Sequence, residues 1–222
     1  MKKILLAFLL LAVANNSLFA GSVGMGFKGG IDIAGQNVPS GSLLSQTGPI
    51  LGFTGGLFAD IKVFKFLSIQ SGVDFTQKGI QGAVENYPAF DSQGNYLGTS
   101  TENVTYIYNY FEIPLLLKGN FSMTHDLTAN LLAGPALDFL FNATVTGSQL
   151  ANGSIPAVTQ TSDITNHYPG TDWGFILGGG VEYLNFILDV RYEFGLDSVN
   201  YSTIAPVVHN GVLSFEAGYR IF

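Results

Sequence analysis

Residues 186–194 read FILDVRYEF: Asp189, Arg191 and Glu193 hold every second place, and Leu188, Val190, Tyr192 and Phe194 fill the gaps. A period of two marks a strand with two unlike faces. Two folds accept such a strand. In a soluble sandwich the apolar face is buried and the charges meet water. In a membrane barrel the apolar face meets lipid and the charges point into the lumen. The same alternation runs through eight segments, at 22–34, 50–61, 66–78, 104–119, 127–143, 172–183, 186–194 and 212–222. Fifteen charged residues fall inside them, at 28, 32, 60, 74, 78, 112, 118, 138, 172, 182, 189, 191, 193, 216 and 220. Every one lies opposite the apolar face. With one free phase per segment, the remaining agreements would arise by chance roughly once in a hundred.

The connections separate the two folds. Three are short, at 62–65, 120–126 and 184–185, and four are long, at 35–47, 79–103, 144–171 and 197–211. They alternate strictly. Short turns on one rim and long polar loops on the other are the pattern of an outer-membrane barrel. A Greek-key sandwich has no reason to alternate in this way. The fold expected is therefore all-β: an eight-stranded antiparallel up-and-down transmembrane barrel, with both termini periplasmic and the long loops extracellular. Its last strand closes on Tyr219, Ile221 and Phe222, an ending like the aromatic one that the barrel-insertion machinery recognises, but with Ile221 where the usual aromatic stands and Phe222 one residue beyond, out of phase.

The ends and the composition agree. The opening MKKILLAFLLLAVANNSLFA has a basic start at Lys2 and Lys3 and an apolar run from 4 to 14. This reads as a signal peptide over 1–20, with Ala12-Val13-Ala14 as an earlier cleavage site, ahead of a barrel domain over 21–222. The apolar run falls short of the roughly 20 residues a spanning helix needs. Only 11% of residues are charged, against about 25% in soluble domains, yet no later run is long enough for a membrane helix. There is no Cys, which excludes a lipoprotein anchor, disulfides and thiol chemistry. Beyond residue 20, seven bases face sixteen acids, 7 − 16 = −9, which argues against nucleic acid as a partner.

An eight-stranded barrel has an interior just wide enough for side chains to fill it. The candidate lumen network is Lys28, Asp32, Asp74, Lys78, Glu112, Lys118, Asp189, Arg191, Glu193, Glu216 and Arg220. Buried charges are tolerable only when paired, so the interior reads as a polar plug. Lys28, Asp32, Arg191, Glu216 and Arg220 are expected to join one ion-pair network. Ten acids against five bases leave a narrow cation-preferring pore as the alternative.

On the longest loop, Tyr87, Phe90 and Tyr96 are surface-contact candidates, while Tyr106, Tyr108 and Tyr110 are assigned to the interfacial aromatic girdle. Outer-membrane lipid, lipopolysaccharide and an envelope or extracellular protein are the partners expected. His167 and His209 lie near Asp163, Asp197, Ser198 and Ser202, but loop spacing fixes no catalytic geometry. An outer-membrane lipid- or peptide-modifying enzyme is thus the weakest alternative, and no enzyme or cofactor is expected. No His/Cys/Asp cluster has metal-ligand spacing, so no metal is expected either. Gly178-Gly179-Gly180 falls in mid-strand, where glycine relieves crowding rather than cradling phosphate.

The stretches FKGGIDIAG, GFTGGLFADI, FLSIQSGVDFTQKG, NYFEIPLLLKGN, LLAGPALDFLF, DWGFILGGGVEY, FILDVRYEFGL and FEAGYRIF resemble the small outer-membrane β-barrel proteins of Bacteroidetes, the "porin family" or PorT-like proteins. The most specific pieces are Glu112-Ile113-Pro114-Leu115 and Gln77-Lys78-Gly79. The resemblance implies an eight-stranded barrel and little about activity. A few members of that family serve a gliding-associated secretion apparatus.

Overall fold

The computed structural model describes residues 23–37, 45–90, 93–149, 157–197 and 208–222. The leader expected over 1–20 lies outside them. The described strands are β1 (Val23–Gln36), β2 (Ser45–Gly48), β3 (Ile50–Phe64), β4 (Leu67–Phe90), β5 (Tyr96–Ser122), β6 (Leu127–Gln149), β7 (Val158–Asp163), β8 (Thr171–Tyr183), β9 (Phe186–Gly195) and β10 (Asn210–Arg220). Eight of them close an antiparallel ring in the order β1-β3-β4-β5-β6-β8-β9-β10 and back to β1. The other two stand beyond the ring, β2 paired to β4 and β7 paired to β6.

The alternation of the sequence becomes the inside and outside of this ring. On β9, Asp189 is 2% exposed and its neighbour Leu188 is 60% exposed. Of the fifteen strand charges, twelve are buried, and Asp74, Glu182 and Arg220 are half-buried. The outward residues include Leu51, Leu57, Leu115 and Leu131, all exposed. Leaving such side chains in water costs about 1.5–3 kcal/mol each, so this exterior calls for hydrocarbon around it. Aromatic rows edge the apolar band. Phe53 and Phe75 stand 5.1 Å apart, and Phe111 and Phe141 4.8 Å apart, on one side. Phe186 meets Tyr219 at 5.2 Å on the other.

The short turns are as expected. Between β8 and β9 the pair Tyr183–Phe186 leaves only 184–185 as the loop, and Leu184 adopts φ 55° to make it. Left-handed backbone of this kind matches the right-handed twist of the flanking strands.

The long connections differ from expectation. Residues 79–103 are largely strand: β4 and β5 stay in register from Gly79–Ile107 to Val84–Glu102 and again from Tyr87–Ser100 to Ala89–Gly98, with a shift before Phe90–Tyr96. Residues 144–171 contain the end of β6, all of β7 and a 3-10 turn at Thr165–His167. Polar composition suggested loops there. Yet TSTENVTYIYNY is rich in Thr and Tyr, which favour strands whether or not one face is apolar.

Candidate functional site

The inward charges fall into three groups along the barrel axis. Nearest the long-strand rim, Lys78 Nζ stands 2.7 Å from Asp138 Oδ2 and 2.5 Å from Glu193 Oε1. The Tyr110 ring lies over this ammonium at 5.3 Å. In the middle, Lys28 pairs with Asp189 and, at 3.9 Å, with Glu216. Arg191 stands 3.3 Å from Glu216, 3.6 Å from Asp189 and 3.9 Å from Asp74, and it donates to Gln70 Oε1 at 3.1 Å. Towards the short-turn rim, Arg220 reaches Glu182 at 2.6 Å and Asp60 at 2.7 Å. Lys118 stands 3.5 Å from the same Asp60.

The single network expected from Lys28, Asp32, Arg191, Glu216 and Arg220 is therefore divided. Lys28, Arg191 and Glu216 do meet. Arg220 is four residues past Glu216 on β10, about 13 Å along the strand, and takes other partners. Asp32 accepts a hydrogen bond from Thr76 at 3.0 Å. Sequence reasoning left Asp60, Asp138, Asp172 and Glu182 out of the candidate set. Their phase was readable; their reach across the interior was not. The Gly178–Gly180 stretch makes room for this chemistry: a Cβ on Gly180 would stand 2.1 Å from Asp189 Oδ1, and one on Gly178 would stand 3.0 Å from Arg191 Cγ.

The tyrosines correct a second expectation. Tyr108 and Tyr110 are each 2% exposed and form a buried cluster with Ala143. Tyr106, Leu140, Ile164 and Tyr168 pack against it. Tyr168 meets Tyr108 edge-on at 4.9 Å. These two tyrosines are thus inside the mouth and not in an outer girdle. Parity gives the reason, since positions 108 and 110 share the face of Glu112.

Beyond the mouth, Phe90 and Tyr96 sit at the end of the β4–β5 hairpin, 58% and 60% exposed, with ring centroids 5.9 Å apart. Tyr87 pairs with Ser100 through the backbone; its side chain lies outside the described residues. Asp163, fully exposed, accepts hydrogen bonds from Thr165 Oγ1 at 2.6 Å and Thr165 N at 2.8 Å. These hold its carboxyl below the usual carboxylate range. His209 Nδ1 lies 3.1 Å from the Asp197 carbonyl oxygen, and His167 belongs to the 3-10 turn. Ser198 and Ser202 lie outside the described residues. At the other rim, Met25 N donates to Phe222 O at 2.9 Å and Ile221 N to Met25 O at 2.7 Å, so the final residues continue the seam with β1.

A closed antiparallel ring, apolar without and charged within, defines a membrane-spanning β-barrel. The family model described as outer membrane protein beta-barrel domain matches residues 14–200. The chain belongs to this family, whose address is the bacterial outer membrane. Among solved structures it is similar to Ail of Yersinia pestis in complex with the heparin analogue sucrose octasulfate, at 12% identity and a TM-score of 0.42, covering 90% of this chain and 99% of that one. Neisserial surface protein A is similar at 17% identity and a TM-score of 0.41, covering 89% and 98%. OprG of Pseudomonas aeruginosa is similar at 12% identity and a TM-score of 0.39, covering 91% and 98%. No curated protein matches the chain.

Proposed function

We propose that this protein is a non-conducting barrel of the bacterial outer membrane that serves as a platform for surface contact through the β4–β5 hairpin. The observation that carries the reading is the contrast between interior and hairpin. Paired charges and the tyrosine cluster occupy the interior, while β4 and β5 run on past Gly79 for roughly 35 Å of paired strand. In this reading the termini are periplasmic and the hairpin is extracellular. A leader over 1–20 directs export, and Tyr219, Ile221 and Phe222 engage the insertion machinery. The outer wall meets lipid and lipopolysaccharide, and Phe90 and Tyr96 offer paired aromatic rings to an envelope or extracellular protein. Kinship with the PorT-like barrels of Bacteroidetes belongs to the same reading.

The test begins with the mature protein refolded in detergent. Its gel mobility should change on heating, and planar bilayers should show no porin-sized conductance. Binding to cells or envelope extracts should be lost when the hairpin beyond residue 80 is replaced by a short turn, with heat-modifiability retained. Stable large-pore currents, or binding indifferent to the hairpin, would overturn the reading. A narrow cation-preferring pore is the second reading, favoured by the ten acids and five bases on the inner face. Small cation-selective steps on the same sample would put it first.

A further inference from the structure

We propose that the upper barrel interior binds one divalent cation of the calcium type, held by Glu112, Asp138 and Glu193. The site rests on the buried interior of the preceding reading and not on the hairpin's partner. Cross-strand register sets Asp74 opposite Glu112, Glu112 opposite Asp138, and Asp138 opposite Asp172. Four carboxylates therefore stand side by side on the inner face of β4, β5, β6 and β8. Like charges directly opposite one another destabilise a sheet unless something compensates them.

The compensation available from the chain is unevenly placed. In the middle and lower groups Lys28, Lys118, Arg191 and Arg220 face Asp60, Asp74, Glu182, Asp189 and Glu216, and 4 − 5 = −1. In the upper group Lys78 pairs with Asp138 and Glu193, while Glu112 and Asp172, set beside Asp138 by register, form no ion pair among the described residues, and 1 − 4 = −3. Most of the excess charge is thus concentrated in one buried group, and buried charge must be paired or coordinated.

Two further observations point to an ion. Glu193 comes across from β9, so that one oxygen each of Glu112, Asp138 and Glu193 lies within 4.8 Å of the others. Oxygens bound to one calcium ion at about 2.4 Å stand no more than about 4.8 Å apart. Secondly, Asp138 is fully buried with its Oδ2 on Lys78, yet its Oδ1 has no hydrogen-bond partner among the described residues. Asp172 beside it also has an unpartnered Oδ1, while its Oδ2 accepts from Asn210 at 2.9 Å. An all-oxygen donor set suits a hard cation and not zinc or copper. No sequence spacing could reveal this site, because three separate strands supply its ligands.

The test uses the full mature protein refolded in detergent with calcium, then chelated and titrated with terbium. Tyr110, lying over Lys78, is placed to sensitise terbium emission. The expected result is one terbium per barrel with tyrosine-excited emission that calcium competes away. Glu112→Gln and Asp138→Asn should each weaken terbium binding by about tenfold or more, and Glu102→Gln on the hairpin should leave it unchanged. Chelation should lower the temperature of the heat-induced mobility change in wild type but not in Glu112→Gln. Wild type without stoichiometric emission, which needs no variant, would overturn the site. So would a Glu112→Gln barrel stabilised equally with calcium and with chelator, since protons would then carry the excess charge. Conductance and hairpin binding are measured separately, so failure of the surface-contact reading is distinguishable from failure of the ion site.

Discussion

Lys78 Nζ lies 2.7 Å from Asp138 Oδ2 and 2.5 Å from Glu193 Oε1, which ties β4 to β6 and β9 across the middle of the ring. A single side chain thereby braces strands that share no ladder. The stem of Lys78 is wholly buried, so its removal takes from Asp138 and Glu193 the ammonium that bridges them.

Lys78→Met should therefore destabilise the barrel by about 3–5 kcal/mol, the usual cost of stripping one partner from a buried pair. Urea unfolding in detergent, followed through the fluorescence of Trp173, measures it. A loss below about 1 kcal/mol would mean that the bridge contributes little.

Gly180→Ala should cost about 1–3 kcal/mol, because the new methyl group would meet the Asp189 carboxylate and the Leu188 carbonyl. Gly170→Ala is the control. Nothing stands within 4 Å of its added carbon, so its effect should stay within about 0.5 kcal/mol. The same unfolding measurement serves both.

Tyr108 and Tyr110 occupy the mouth together with Ala143 and Tyr168. Replacing both by Ala should raise the leak of small ions through barrels in planar bilayers without producing porin-sized steps. An unchanged leak would show that the charges beneath, and not the rings, set the resistance.

Asp163 supplies a pH test outside the membrane. Hydrogen bonds from Thr165 hold its carboxyl below the usual range, so the folded form favours the ionised group. The stabilisation is then fully present above the ordinary carboxylate range and is lost as pH falls through the lowered value. Protection of the Ile164 and Thr165 amides relative to their intrinsic exchange rates should fall in acid in wild type, whereas Asp163→Asn should show weak protection at every pH.

Much of this architecture is legible in a period of two. Phase alone assigns Asp189 to the interior and Leu188 to the exterior, since a one-residue slip would invert every side chain. Phase would also have put Tyr108 and Tyr110 beside Glu112, but tyrosine's preference for membrane interfaces drew them outward in the reading. What stayed hidden depends on three dimensions. Arg220 and Lys118 share Asp60 because β3, β5 and β10 meet around the lumen, a fact no single strand contains. The continuation of β4 and β5 past Gly79 was obscured for another reason: its buried residues, Ile80, Ala83, Ser100 and Val104, are few and mostly small among polar ones, so the alternation that announces a strand fades there.

The seam between β1 and β10 pairs Gly26 with Arg220 and Gln36 with Asn210, joining positions up to 220 − 26 = 194 residues apart. A contact so distant in sequence is slow to find. The ring has no closed form until β10 has met β1, so until then the sheet is an open ribbon with two unpaired edges. An open ribbon of this kind shows Leu51, Leu57 and Leu131 beside two free strand edges, and each such edge is a template on which a second ribbon can pair.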